Sequence, residues 1–160
     1  MRQIKAQKLT AEAFSKYGSF YDLVNPEGCS LGAFYNDKVA LPVSGQVPVT
    51  FSSLRMEKPE KLIVDSAEFH NYTGEGILPL DGDVVIHVAP PTKEPVPELT
   101  EAFIVPKGTV VKLNTGVWHL APLPIKEDLV HILIVLPERV YANDCTVVEY
   151  PEEDQMEIIL

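Results

Sequence analysis

Proline and glycine break this chain about every ten residues, and that rhythm limits the folds open to it more than any other feature. Fourteen prolines and nine glycines fall between short apolar runs such as 84–89 and 129–136. Such runs suit strands buried in a sheet and are too short for membrane spans or long helices. The reading is roughly ten short strands with turn signals between them, hence an all-β sandwich or barrel. Helix is too scarce for a parallel α/β sheet.

Expected strands cover 2–8, 20–24, 31–35, 39–43, 47–55, 62–72, 77–80, 84–89 and 102–105. Residues 109–113 and 117–120 read as a hairpin around Asn114-Thr115-Gly116. The run 129–136 reads as buried on both faces, and 140–141 and 145–150 as the last extended pieces before an acidic tail. One short helix is expected over 10–18, with Thr10 as N-cap, Gly18 as stop, and Phe14 and Tyr17 on one face. The four prolines in 90–98 mark a rigid surface loop rather than a linker, so 1–160 forms one domain. A jelly roll closes around a cavity, which places function at the barrel mouth.

The formal charge is −10, from 13 basic and 23 acidic side chains. That field repels phosphate backbones and argues against nucleic acid as a partner. A small anionic substrate would need local cations, and the arginines are only Arg2, Arg55 and Arg139. Cys29 and Cys145 have no metal-type spacing. With no apolar leader and no span of about 20 apolar residues, the expectation is a soluble cytoplasmic protein with reduced thiols and no membrane partner.

The chemistry-bearing stretch is 115–122, where a glycine turn runs into the only tryptophan, Trp118, and into His119. The other histidines, His70, His87 and His131, also fall on expected strands, so four imidazoles have the opportunity to converge in one barrel. His70, Tyr72 and Glu75, then six residues and Gly82, resemble the first cupin motif, in which a His-x-His pair, a glutamate and a later glycine supply three metal ligands. On that reading Tyr72 stands for the second histidine. Pro106-Lys107-Gly108 followed by His119 resembles the second cupin motif. The resemblance implies a cupin-type double-stranded β-helix, a jelly-roll barrel with a short N-terminal helix. His70, Glu75 and His119 would be the ligands of a divalent metal (zinc, iron or manganese), with His131 or His87 as a fourth. A metal-free pocket stays open beside it.

Six segments in order also resemble the ureidoglycolate lyase family, which is itself cupin-like. They are 9–18, Arg55 at its strand end, His70 with 77–84, 102–104, 116–119 and 143–147. The resemblance implies an enzyme that releases urea and glyoxylate from ureidoglycolate in purine and allantoin catabolism by acid–base catalysis. His119, His70 and Glu75 would be catalytic, Glu68 would be a further acid–base group or only a partner of the histidines, and Arg55, Trp118 and Tyr72 would bind substrate. His87, His131 and Glu75 depart from the family pattern and fall on the expected pocket wall. A metal-dependent cupin enzyme of another reaction, and a non-catalytic sensor of small carboxylates, are the alternatives. A homodimer is expected, because β-sandwich edges often pair.

Overall fold

The computed structural model of the chain describes all residues except Asn36, Ser44 and Gln46. In chain order the elements are β1 (Arg2–Lys8), α1 (Ala11–Phe14), β2 (Gly18–Asp22), β3 (Ser30–Leu31), β4 (Phe34–Tyr35) and β5 (Val49–Glu57). Next come β6 (Ile63–Val64), β7 (Ser66–Phe69), β8 (Glu75–Pro79), β9 (Val84–Ala89), β10 (Glu101–Val105) and β11 (Thr109–Leu113). The chain ends with β12 (Trp118–His119), β13 (Leu123–Pro124), β14 (Leu129–Pro137), α2 (Val140–Asn143), β15 (Thr146–Glu149) and β16 (Met156–Ile159).

Two sheets face one another. The larger has nine strands in the order β15-β7-β12-β9-β10-β1-β16-β6, with β13 also on β9; the smaller has five, β2-β11-β8-β14-β5. A main core fills the space between them, drawing Val84, Ile86, Val88 and Phe103 from one sheet and Ile77, Val111, Ile132 and Ile134 from the other. A second core, with Val64, Val85, Ala89, Trp118 and Met156, comes from the larger sheet alone. Adjacent residues of β9 feed different cores, as the period of two requires, so this strand is buried on both faces. The all-β expectation with a short N-terminal helix therefore holds, while 140–141, expected as extended, instead open the one-turn helix α2.

Several local expectations change. The helix is a single turn, capped by Thr10 Oγ1, which accepts from Ala13 N at 3.2 Å. Gly18 does not stop it but opens β2, where a Cβ would sit 1.9 Å from the Lys112 carbonyl oxygen. Glycine is needed there for backbone approach rather than for a turn. The expected 109–120 hairpin is a crossover: β11 pairs with β2 and β8, while β12 pairs with β7 and β9 in the other sheet. Gly116 makes the corner at φ 81°, and its N–H donates to the His70 carbonyl at 2.9 Å.

The run 129–136 is buried on one face only, since β14 alternates between buried and half-exposed positions. The acidic tail returns as β16, parallel to β1, with Met156 and Ile158 buried. The expected pair of strands over 31–35 and 39–43 is replaced by the small β3–β4 hairpin, with 37–43 irregular; Asn36 lies outside the described residues.

Candidate metal and acid–base centre

Four side chains meet at one end of the main core. Glu68 on β7 and His119 on β12 are direct cross-strand partners, so their side chains share a face. His70 follows Glu68 by two residues and joins that face. Glu75 begins β8 in the opposite sheet, paired with Leu113. The Gly116 corner carries the chain from Glu75's sheet to His119's, so the cluster forms only when the two sheets close.

Glu75 Oε2 lies 3.1 Å from His70 Nε2 and 3.1 Å from His119 Nε2. The far ring nitrogens are tied to backbone: His70 Nδ1–H donates to the Asp144 carbonyl at 2.6 Å, and His119 Nδ1–H to the Val117 carbonyl at 2.8 Å. A carbonyl only accepts, so each Nδ1 carries the proton and each neutral ring turns its Nε2 lone pair to Glu75. Two lone pairs against a carboxylate oxygen repel. Protons on the Nε2 atoms or a cation must sit between them.

Charge follows from this arrangement. Burial pushes the Glu75 carboxyl up, but His119 and His70 opposite it pull it further down, to about 2. Burial pushes the His119 imidazole down, and the Glu75 charge and hydrogen bond, with the Val117 carbonyl and Glu68, raise it above its ordinary value. The Glu75 carboxylate therefore favours the protonated form of His119.

The four residues offer one ligand atom each, all within 4.8 Å of one another. Two imidazoles and two carboxylates form a donor set suited to zinc, iron or manganese. Each histidine has its other nitrogen fixed by a carbonyl, the outer arrangement that orients metal-binding histidines. The residues present fit a divalent ion.

Glu68 faces solvent more than the rest. Its side chain is 20% exposed, against 2%, 8% and 3% for His70, Glu75 and His119, so the approach to the cluster runs past Glu68. Its Oε1 lies 4.0 Å from His119 Nε2, and its Oε2 accepts from the Cys145 thiol at 3.2 Å. Burial and then the Glu68 contact push that thiol up to about 12, so it stays a donor. Tyr141 on α2 stands near the same carboxylates: burial, then Glu75, Glu68 and Cys145, raise its phenol.

The structure thus brings His70, Glu75 and His119 together and leaves five other expected site residues outside. Tyr72 is 83% exposed, and only its backbone N–H is engaged, by Asp144 Oδ2 at 2.8 Å. It does not replace a cupin histidine. Glu68 stands where the first histidine of the pair would be, His70 is the second, and the spacing to Glu75 lengthens from two intervening residues to four. The strand period carried that signal, because 68 and 70 must share a face.

Trp118 neighbours His119 along β12 and so points the other way. It packs in the second core on Phe69, ring centroids 4.4 Å apart, and its indole N–H donates to Thr92 Oγ1 at 3.1 Å. Arg55 lies on the exposed face of β5 beside Glu57 at 3.2 Å. Its cross-strand partner is His131, held instead by Asp81 at 2.6 Å on the half-exposed face of β14. His87 lies on the face of β9 that carries Val85 and Ala89 of the second core, opposite Val88 and His119. Two of the four histidines converge, then, and two carboxylates complete the set. A cleft of about 450 Å³, lined by Tyr21, Leu23, Tyr35 and Val110 among others, contains none of these residues.

No helix of the described residues is long and apolar enough to cross a membrane. The ureidoglycolate lyase family profile matches residues 1–157. Ureidoglycolate lyases of Pseudomonas paraeruginosa and Pseudomonas aeruginosa are each 27% identical to the chain over 98% of its length and 95% of theirs. That of Rhodobacter capsulatus is 26% identical over 77% of this chain and 81% of its own. Among solved structures, a Bacillus subtilis oxalate decarboxylase superposes with a TM-score of 0.45 at 14% identity, over 63% of this chain and 23% of that one. A Legionella pneumophila dTDP-6-deoxy-D-glucose-3,5-epimerase gives 0.39 at 14% identity, over 72% of this chain and 56% of that one. With the profile matched along nearly the whole chain, this protein belongs to the ureidoglycolate lyase family of enzymes.

Proposed function

We propose that this enzyme splits ureidoglycolate into glyoxylate and urea at the Glu68–His70–Glu75–His119 cluster, as part of allantoin breakdown. The observation that carries the reading is the pair of imidazole Nε2 atoms turned on Glu75, inside a chain matched to the family over 1–157. The substrate is a carbinolamine. A base takes its hydroxyl proton, the carbon–oxygen bond becomes a carbonyl, the carbon–nitrogen bond breaks, and the leaving urea nitrogen gains a proton. Glu68, at the solvent edge, meets the substrate first and is suited to exchange the hydroxyl proton. His119, whose protonated form the Glu75 carboxylate favours, is suited to supply the proton to nitrogen. Glu75 and His70 hold the imidazole face in place. A divalent ion held by His70, Glu75, His119 and Glu68 would take the place of the proton on His119 Nε2 and would instead supply positive charge for the substrate carboxylate and the developing oxyanion. That role fits a chain whose net charge is −10 and whose Arg55 lies on an outer face.

The test adds ureidoglycolate to purified protein and follows glyoxylate and urea separately. Release of both in equal amounts above the spontaneous rate, and its loss in His119→Ala, is the expected outcome. Product formation no faster than in buffer would reject the reading. Metal analysis of chelator-free protein, with His119→Ala as control, reports whether an ion is resident.

A further inference from the structure

Three members of the cluster hold one another, whereas the fourth is held from outside. Glu75 contacts His70 and His119 at 3.1 Å, but Glu68 stops 4.0 Å short of His119 while its other oxygen accepts from Cys145 at 3.2 Å. Cys145 is well placed for this. Val147 of β15 pairs with Glu68 of β7, which makes Cys145, two residues earlier, a diagonal neighbour on the same face. The preceding residue anchors the backbone. The Asp144 carbonyl accepts from His70 Nδ1–H at 2.6 Å, and its carboxylate accepts from the N–H groups of Asn71 and Tyr72 at 2.7 and 2.8 Å. One dipeptide, Asp144-Cys145, therefore fixes both His70 and Glu68.

We propose that Cys145 is a positioning residue whose thiol holds Glu68 at the solvent edge of the cluster, with one oxygen turned toward His119 and free for substrate or metal. The inference rests on the lyase reading for its role in turnover. Without the thiol, Glu68 loses the one hydrogen bond that selects its rotamer, and a partly exposed glutamate then samples solvent-facing conformers. The β7–β15 pairing is unaffected, so the fold stays intact.

The test is a double-mutant cycle of Cys145→Ala and Glu68→Gln, with Cys145→Ser as the conservative variant. Each protein is read for ureidoglycolate turnover and for Zn²⁺ dissociation constant by chelator competition. Cys145→Ala is expected to lower kcat/KM and Zn²⁺ affinity by about 10-fold each, the usual effect of removing a partner of a site residue. Glu68→Gln should lose at least as much. The double variant should be no worse than Glu68→Gln alone, and Cys145→Ser, which keeps a donor, should recover most of the loss. Additive losses, or a Cys145→Ala protein equal to wild type in both readouts, would overturn the proposal. If the alanine variant unfolds, Cys145→Val keeps the volume without the donor and takes its place in the cycle. A wild-type protein that turns over no ureidoglycolate rejects the lyase reading, and the Zn²⁺ cycle then still decides whether Cys145 and Glu68 are coupled.

Discussion

Glu75 is the residue on which the cluster's charge balance turns. It is the common partner of both imidazoles, and burial makes any unmatched charge there expensive. Glu75→Gln keeps the shape but removes the charge that draws a proton or a cation to the two Nε2 atoms. We expect turnover to fall by about 100-fold or more, with His119 returning toward neutrality. Steady-state kinetics and the NMR titration of the His119 ring would check both parts. Unchanged turnover would remove Glu75 from the mechanism. At this same scale the identities of His70, Glu75 and His119 were legible, because few residue types carry such chemistry and the motif spacing singled them out. Glu68 was less visible. A glutamate in a strand of a chain with 23 acidic residues is only one acid–base candidate among many until the face it shares with His70 is counted.

Elements decide which of these side chains can meet. Thr10 at the start of α1 and the apolar run of β9 are local features, set by capping and by burial, and both were legible. The path after β11 was not. Asn114-Thr115-Gly116 suits a hairpin and a corner equally, and the choice is made by partners distant in sequence, β7 and β9. The last strand shows the same dependence. β16 lies between β1 and β6 and buries Met156 and Ile158, although its surroundings in sequence are acidic and turn-like. Burying each of these two side chains contributes about 1.5–3 kcal/mol. Deleting 156–160 should therefore lower stability by about 3–6 kcal/mol, read from the urea midpoint, and expose β1 and β6 as free edges. A truncated protein of unchanged midpoint would show that the strand does not secure the sheet.

For the molecule as a whole, the burial of His87 makes stability depend on pH in acid. Burial pushes His87 down, nearby His119 pushes it further, and Asp65 opposes only in part, leaving it at about 3. The unfolded chain takes up that proton near the ordinary histidine value of about 6.5. Between these values the unfolded state binds more protons, so stability is present above about 6.5 and is lost as pH falls toward about 3. His87→Leu should remove this component and narrow the difference between urea midpoints at pH 7 and pH 4. A variant with the wild-type difference would place the acid sensitivity elsewhere.

The sequence by itself determined the β class, the family and three of the four clustered residues. Proline spacing, strand periodicity and rare side chains are local properties that survive without coordinates. Only the tertiary structure decided that Glu68 enters the cluster while Trp118, Tyr72, Arg55, His131 and His87 stay out. Strand parity leaves two choices of face for each of these residues, and closure of one sheet over the other makes the choice.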